Sequence, residues 1–281
     1  MTDLLLTVLC STSIAIILKI NAGKKWSTIQ LLAGNYLSAT LIGLLLLLNN
    51  DTNSFEMEII PLGLFLSFLF VGSIFAFSKS VILSGAALST VSSRLSVFVP
   101  IVLSIIIFNE LPNLYQTIGL VFTAATIILF YFSVRNPNNT IFEKEKFLYL
   151  IAVLIGIGTA DFFMKVFQVN WESSAKPWFL FWIFGFSFLI TFLLSIKERK
   201  NIDRSALLLG ILMGVPNLFS SYFLIGALKS YPAVFVYPFV NMSIIVLTAF
   251  IVKFIWNEQW NFYSKLALAA GIVAIILLSL K

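Results

Sequence analysis

The 281-residue chain is 60% hydrophobic and 11% charged with a mean hydropathy of +1.02, whereas a soluble domain is about 45–50% apolar and 25% charged. It has no histidine and one cysteine, Cys10, which removes the commonest general base and metal ligand and any internal disulfide. The net charge of +6 reads as the basic bias of short membrane loops rather than as a nucleic-acid surface.

A helix of about 20 apolar residues crosses the hydrocarbon core of a bilayer. Polar, proline and glycine punctuation divides the chain into ten such segments, at 3–21, 28–48, 59–79, 84–108, 112–133, 147–168, 177–196, 205–228, 232–256 and 260–280. The opening Met1-Thr2-Asp3-Leu4 lacks a basic leader, so the first span is expected to be retained. The weakest division runs from Ser80 to Gly85, where only Lys79 and Ser84-Gly85 interrupt two long apolar runs, with nine spans as the alternative count. No connection exceeds roughly a dozen residues, which places function within or between the helices.

Lysine and arginine in short loops set membrane orientation. One side collects Lys24, Lys25, Arg135, Lys144, Lys146, Lys197, Arg199, Lys200 and Arg204; the other has Lys176, Lys229 and Lys281. With ten spans, the first side is expected in the cytoplasm and both termini outside, in a plasma (inner) membrane.

The two halves, 1–136 and 137–281, match in order. Phe108-Asn109-Glu110 aligns with Trp256-Asn257-Glu258 and Tyr115 with Tyr263; Gly63 aligns with Gly210, Gly85-Ala86 with Pro232-Ala233, and Lys19 with Lys165. A duplicated unit of five helices must enter the membrane in opposite orientations. The expected fold is therefore an all-α membrane protein of ten transmembrane helices arranged as two inverted five-helix repeats.

These features resemble the drug/metabolite transporter superfamily, specifically its EamA-type ten-helix members, over nearly the whole chain. The resemblance rests on Lys19 and Lys165 late in the first helix of each half, on the small-residue entries Gly85-Ala86-Ala87 and Pro232-Ala233, on Glu110 and Glu258, and on Gly119. Pro100 lies nearer Glu110 than the family's usual proline, and Ala267 stands where glycine is expected. The resemblance implies transport of a small molecule without naming it. Many relatives keep both termini in the cytoplasm, opposite to the loop charges, which are followed here.

Candidate site residues follow from cost. A charge at bilayer depth costs about 2.5–3.5 kcal/mol on the lenient insertion scale, so a charge within a span asks for a role. Asp161, in Gly156-Ile-Gly-Thr-Ala-Asp-Phe-Phe-Met-Lys165, is the carboxylate clearly inside a span. Lys165, four residues on, shares its helix face and is one candidate to neutralise it; Arg94, in the fourth span, is the other. Asn241 stands at Arg94's repeat position. Pro216 and Pro238 break the eighth and ninth spans, as in helices that line transporter sites, and bring Asn217, Tyr222 and Tyr237 forward as hydrogen-bonding groups. Lys19 and Lys165 suit gates or scaffold, with snorkelling to the interface as the simpler reading. Glu110 and Glu258 are expected to stabilise a connection or cap the next helix.

The expected function is secondary active transport, by alternating access, of a small metabolite, amino acid or drug-like molecule, in the export direction, with Asp161 as proton carrier if protons drive it. Expected partners are that small molecule, the lipid bilayer and, as a candidate, a second copy of the chain; no nucleic acid and no cofactor or metal are expected. There is no Gly-x-x-x-x-Gly-Lys-Ser/Thr motif for ATP. A non-transporting membrane subunit or scaffold is the alternative, and an intramembrane enzyme, with no histidine and no second aspartate for a dyad, comes third.

Overall fold

The computed structural model describes residues 1–24, 26–48, 56–134, 144–197, 203–257 and 261–280. Among them every regular element is helical: α1 (Thr2–Lys24), α2 (Thr28–Leu48), α3 (Ile59–Leu95), α4 (Phe98–Phe108), α5 (Leu114–Val134), α6 (Lys144–Asn170), a 3-10 turn (Ser173–Ala175), α7 (Lys176–Lys197), α8 (Arg204–Ser230), α9 (Ala233–Trp256) and α10 (Phe262–Ser279). Ten segments within these helices are long and apolar enough to cross a membrane, the architecture of a multi-pass helical membrane protein. Lys25, Arg135, Arg199, Lys200, Glu258 and Lys281, on which part of the orientation and repeat reading rests, lie outside the described residues.

One expected boundary moves. No interruption occurs at Ser80–Gly85; α3 runs unbroken from Ile59 to Leu95, and the chain turns at Ser96-Val97 instead. Small residues such as Gly85-Ala86-Ala87 lower hydropathy without blocking helical hydrogen bonds, whereas a proline does block them. Pro100 cannot donate to the carbonyl of Ser96. The Val99 N–H takes that carbonyl at 3.0 Å, and the Val97 N–H bonds Arg94 at 3.4 Å, which tightens the turn and separates α3 from α4.

Local sequence explains most helix starts. Asn113 accepts from the Gln116 N–H at 2.8 Å while the Gln116 side chain accepts from Asn113 N–H at 3.0 Å, a reciprocal capping box before α5. Asp203 caps α8 through the Ala206 N–H at 3.0 Å, and Asn261 caps α10 through the Ser264 N–H at 2.8 Å. Helices α4 and α9 both end on an asparagine in the left-handed region, Asn109 at φ 54° and Asn257 at φ 53°. Asparagine tolerates that conformation better than other residues with a Cβ.

The chain divides into two compact units. Unit 1 comprises Met1–Val71 and Phe167–Lys229; unit 2 comprises Gly72–Val166 and Ser230–Lys281. In unit 1, α2 packs against α7. It also lies close along α8, because Gly34, Gly210 and Gly214 leave no side chain in the way: a Cβ at Gly210 would overlap the Leu31 carbonyl, and one at Gly214 the Asn35 carbonyl. Small residues at such contacts are how helices approach where lipid supplies no hydrophobic drive. Polar groups complete the seam. Asp203 accepts from the Ser27 N–H at 3.2 Å, Gln30 accepts from the Asp203 N–H at 2.5 Å, and Asn217 donates to the buried Asn35 at 3.1 Å.

In unit 2, α10 packs on α5 and α9, and α4 packs on α9. Gly158 lets α6 approach α4, since a Cβ there would meet Val99 and the Ser96 carbonyl; Gly156 does the same toward Ser73 of α3. The two glycines of the Gly156–Lys165 stretch thus seat α6 and fix the position of Asp161 one turn further on.

Candidate functional site

Within unit 2, α6 and α9 are joined by a polar seam. The Tyr237 side chain is 2% exposed and its hydroxyl donates to the backbone carbonyl of Asp161. One turn along α9, the Asn241 amide donates to the Tyr237 carbonyl at 3.1 Å, and its oxygen faces Arg94 Nη1 at 3.5 Å. That last separation is long for a hydrogen bond, and the guanidinium has five N–H donors to satisfy. Pro238, between Tyr237 and Asn241, removes one helical N–H of α9 at the same level.

The Asp161 carboxylate itself is different. Among the described residues, no hydrogen bond or ion pair reaches it. Neither expected partner is there. Lys165 turns instead to Glu110, Nζ to Oε1 at 2.8 Å, with both side chains largely buried at 7% and 15% exposure, and it also lies 5.9 Å from the centroid of the Phe108 ring. Arg94 meets Asn241 rather than Asp161. The physical reason is local: Glu110, at the end of α4, can bond Lys165 and the start of α9 together, which satisfies more buried groups than an i,i+4 pair within α6 would.

Glu110 does cap a helix, but not the next one. Its Oε2 accepts from the Ala233 N–H at 2.5 Å, at the first turn of α9, whereas α5 is capped by Asn113. The residue before α9 is Pro232, whose side chain makes no cap bond, so α9 receives its cap from α4. One carboxylate thus holds α4, α6 and α9 together by a buried charge-assisted contact and a helix N-terminus. The acidic residue after the aromatic-Asn pair was the signal for this, though nothing in the sequence indicates which helix it caps.

The expected site residues therefore separate. Asp161, Arg94, Asn241, Tyr237 and Lys165 belong to unit 2; Asn217, Tyr222 and Lys19 belong to unit 1. Asn217, just after Pro216 in α8, bonds Asn35 and closes the α2–α8 seam. Tyr222 lies under an ammonium: Lys176, expected in a connection, has its Nζ 4.1 Å from the ring centroid and is 8% exposed. Lys19, in α1, is half-buried and is not free of partners. No cluster of three or more His, Cys, Asp or Glu side chains able to hold a metal occurs among the described residues.

No protein-family profile matches the chain. A protein of Haemophilus influenzae (strain ATCC 51907 / DSM 11121 / KW20 / Rd), described as uncharacterized, is 28% identical over 288 residues, covering 99% of this chain and 97% of its own length. A crystal structure described only as that of a protein matches with a TM-score of 0.80 at 12% identity, over 99% of this chain and 95% of that one, a likeness of fold alone.

Proposed function

We propose that the protein is a secondary active transporter that exports a small metabolite, amino acid or drug-like molecule across the plasma membrane by alternating access. The observation that carries this reading is the Asp161 carboxylate: a charge on a membrane-spanning helix, with no bonded partner among the described residues, held beside a tyrosine-asparagine ladder on a proline-broken helix. A charge on a membrane-spanning helix without a partner is expensive to keep. A substrate or a proton that visits it supplies the reason for its presence.

The architecture supports the reading. Among the packed helices are α2 with α7, α4 with α9 and α5 with α10, pairs in which the second helix stands five after the first, a pattern compatible with two inverted five-helix repeats (1–136 and 137–281). The twin left-handed asparagines, Asn109 and Asn257, fall at matched positions of those repeats. The resemblance to the EamA-type drug/metabolite transporters points the same way, and the loop charges place both termini outside.

In this reading Asp161 is the coupling residue, Arg94, Asn241 and Tyr237 shape the site around it, and Lys165 with Glu110 forms the scaffold. The test is flux in proteoliposomes carrying the full chain, with candidate amino acids, nucleosides and sugars as solutes. Asp161→Asn is expected to reduce gradient-driven flux at least tenfold and to remove its dependence on a pH gradient, while solute exchange persists and the protein still folds. Undiminished, pH-gradient-driven flux in that variant rules out the coupling role.

A further inference from the structure

We propose that Lys176 and Tyr222 form a second polar site, within unit 1, that binds the carboxylate of a small organic acid. Lys176 is the first residue of α7, yet its ammonium turns inward to lie 4.1 Å above the Tyr222 ring of α8. That ring is held between two others, with Phe219 at 6.4 Å and 71° and Phe223 at 5.6 Å and 90°, so the platform under the ammonium is fixed. A cation over an aromatic face is favourable, but the ring accepts none of the three ammonium hydrogen bonds in the ordinary sense.

The unmet bonding is the argument. At 8% exposure Lys176 is more than nine-tenths buried, and among the described residues its ammonium has no hydrogen-bond acceptor and no carboxylate within ion-pair distance. The Tyr222 hydroxyl likewise has no hydrogen-bond partner there. The nearby basic residue behaves otherwise, since Lys229 donates to the Ser173 hydroxyl at 2.9 Å. Asp3 of α1 lies against Gly226, one turn beyond Tyr222 on α8, where a Cβ on the glycine would overlap its carboxylate; its charge acts on the Lys176 ammonium from a distance, but no direct ion pair joins the two among the described residues.

An N–H donor carrying positive charge and an O–H donor beside it match the two oxygens of one carboxylate. Such charge-assisted bonds are the strong ones in a buried setting. Lys176, Lys229 and Asp3 act on one another and together leave one positive charge, which favours a monoanion over a doubly charged phosphate, and the Phe219, Tyr222 and Phe223 rings favour an apolar body on the acid. Occupancy would also relieve the desolvation of the ammonium. The inference is read by binding and stands apart from whether the protein transports anything.

The experiment is thermal unfolding and calorimetric titration of the detergent-purified full chain with benzoate, against its neutral counterpart benzamide at fixed salt. Benzoate is expected to raise the melting temperature saturably and benzamide to leave it unchanged. Lys176→Met is expected to abolish the benzoate shift while raising the melting temperature of the unliganded protein. Lys176→Arg keeps the shift, and Tyr222→Phe weakens benzoate binding about tenfold. Equal effects of benzoate and benzamide, or a benzoate shift that survives Lys176→Met, overturn the proposal. So does a result in which benzoate does nothing while Lys176→Met and Asp3→Asn destabilise equally, since Lys176 and Asp3 then serve each other. If Lys176→Met fails to fold, Tyr222→Phe decides: benzoate affinity equal to that of the unmodified protein also overturns it.

Discussion

The α2–α8 seam of unit 1 is closed by glycine approaches and polar side chains, the α6–α9 seam of unit 2 by polar side chains, and the two settle their polar groups in opposite ways. Along α2–α8, Asn35 meets Asn217, and Asp203 divides its oxygens between two N–H groups. Along α6–α9, Tyr237 is spent on a backbone carbonyl, Lys165 on Glu110, and the Asp161 carboxylate is left without a partner. A seam whose side chains answer one another is a structural joint. In the proposed reading, a seam that leaves a carboxylate unanswered beside the Lys165–Glu110 pair keeps that group for something that comes and goes.

That contrast can be broken most sharply at the buried pair. Lys165→Met leaves Glu110 charged and half-deserted between α4 and α9, and removing one partner of a buried ion pair costs about 3–5 kcal/mol. Chemical unfolding in detergent should show a loss of that size, with part of it recovered in the Lys165→Met/Glu110→Gln double variant. A loss near zero would mean that the pair is exchanging with solvent rather than holding three helices. Next comes Gly210→Ala, in the seam of unit 1, where the added methyl must push the Leu31 carbonyl away. Overpacking of this kind costs about 1–3 kcal/mol, with substrate binding expected to be unchanged at comparable folded fraction. The smallest effect is Asn217→Leu, which removes an inter-helix hydrogen bond worth about 0.6 kcal/mol on average in membrane helices. A tenfold loss of transport in that variant, without loss of stability, would move Asn217 out of the joint and into the site.

Much of the helical layout is legible in the residues, because a bilayer demands long apolar runs and these announce themselves. Asp161 is legible for the same reason, as a charge inside such a run. What the residues do not announce is who meets whom. Lys165 and Asp161 stand at i,i+4 and invite pairing, but the better partner for Lys165 is 55 positions earlier in the chain, at Glu110 (165 − 110). Hydropathy dips at Ser84-Gly85 and divides the apolar spans there, between Ser84 and Ser89, but the helix breaks later, where the bond that fails is the one Pro100 cannot make. Lys176 was counted with the loop charges since it begins its span; only the fold turns its long side chain inward over Tyr222.

The cap that Glu110 places on Ala233 also bears on how the chain is made. The first turn of α9 depends on a residue translated 123 positions before it. As the ribosome delivers the spans in order, α4 is already present when α9 emerges, and the newest helix finds its anchor waiting. Expressed as separate halves, the second fragment would present α9 without this cap, a loss of about 1 kcal/mol at Pro232-Ala233 until the first fragment joins it.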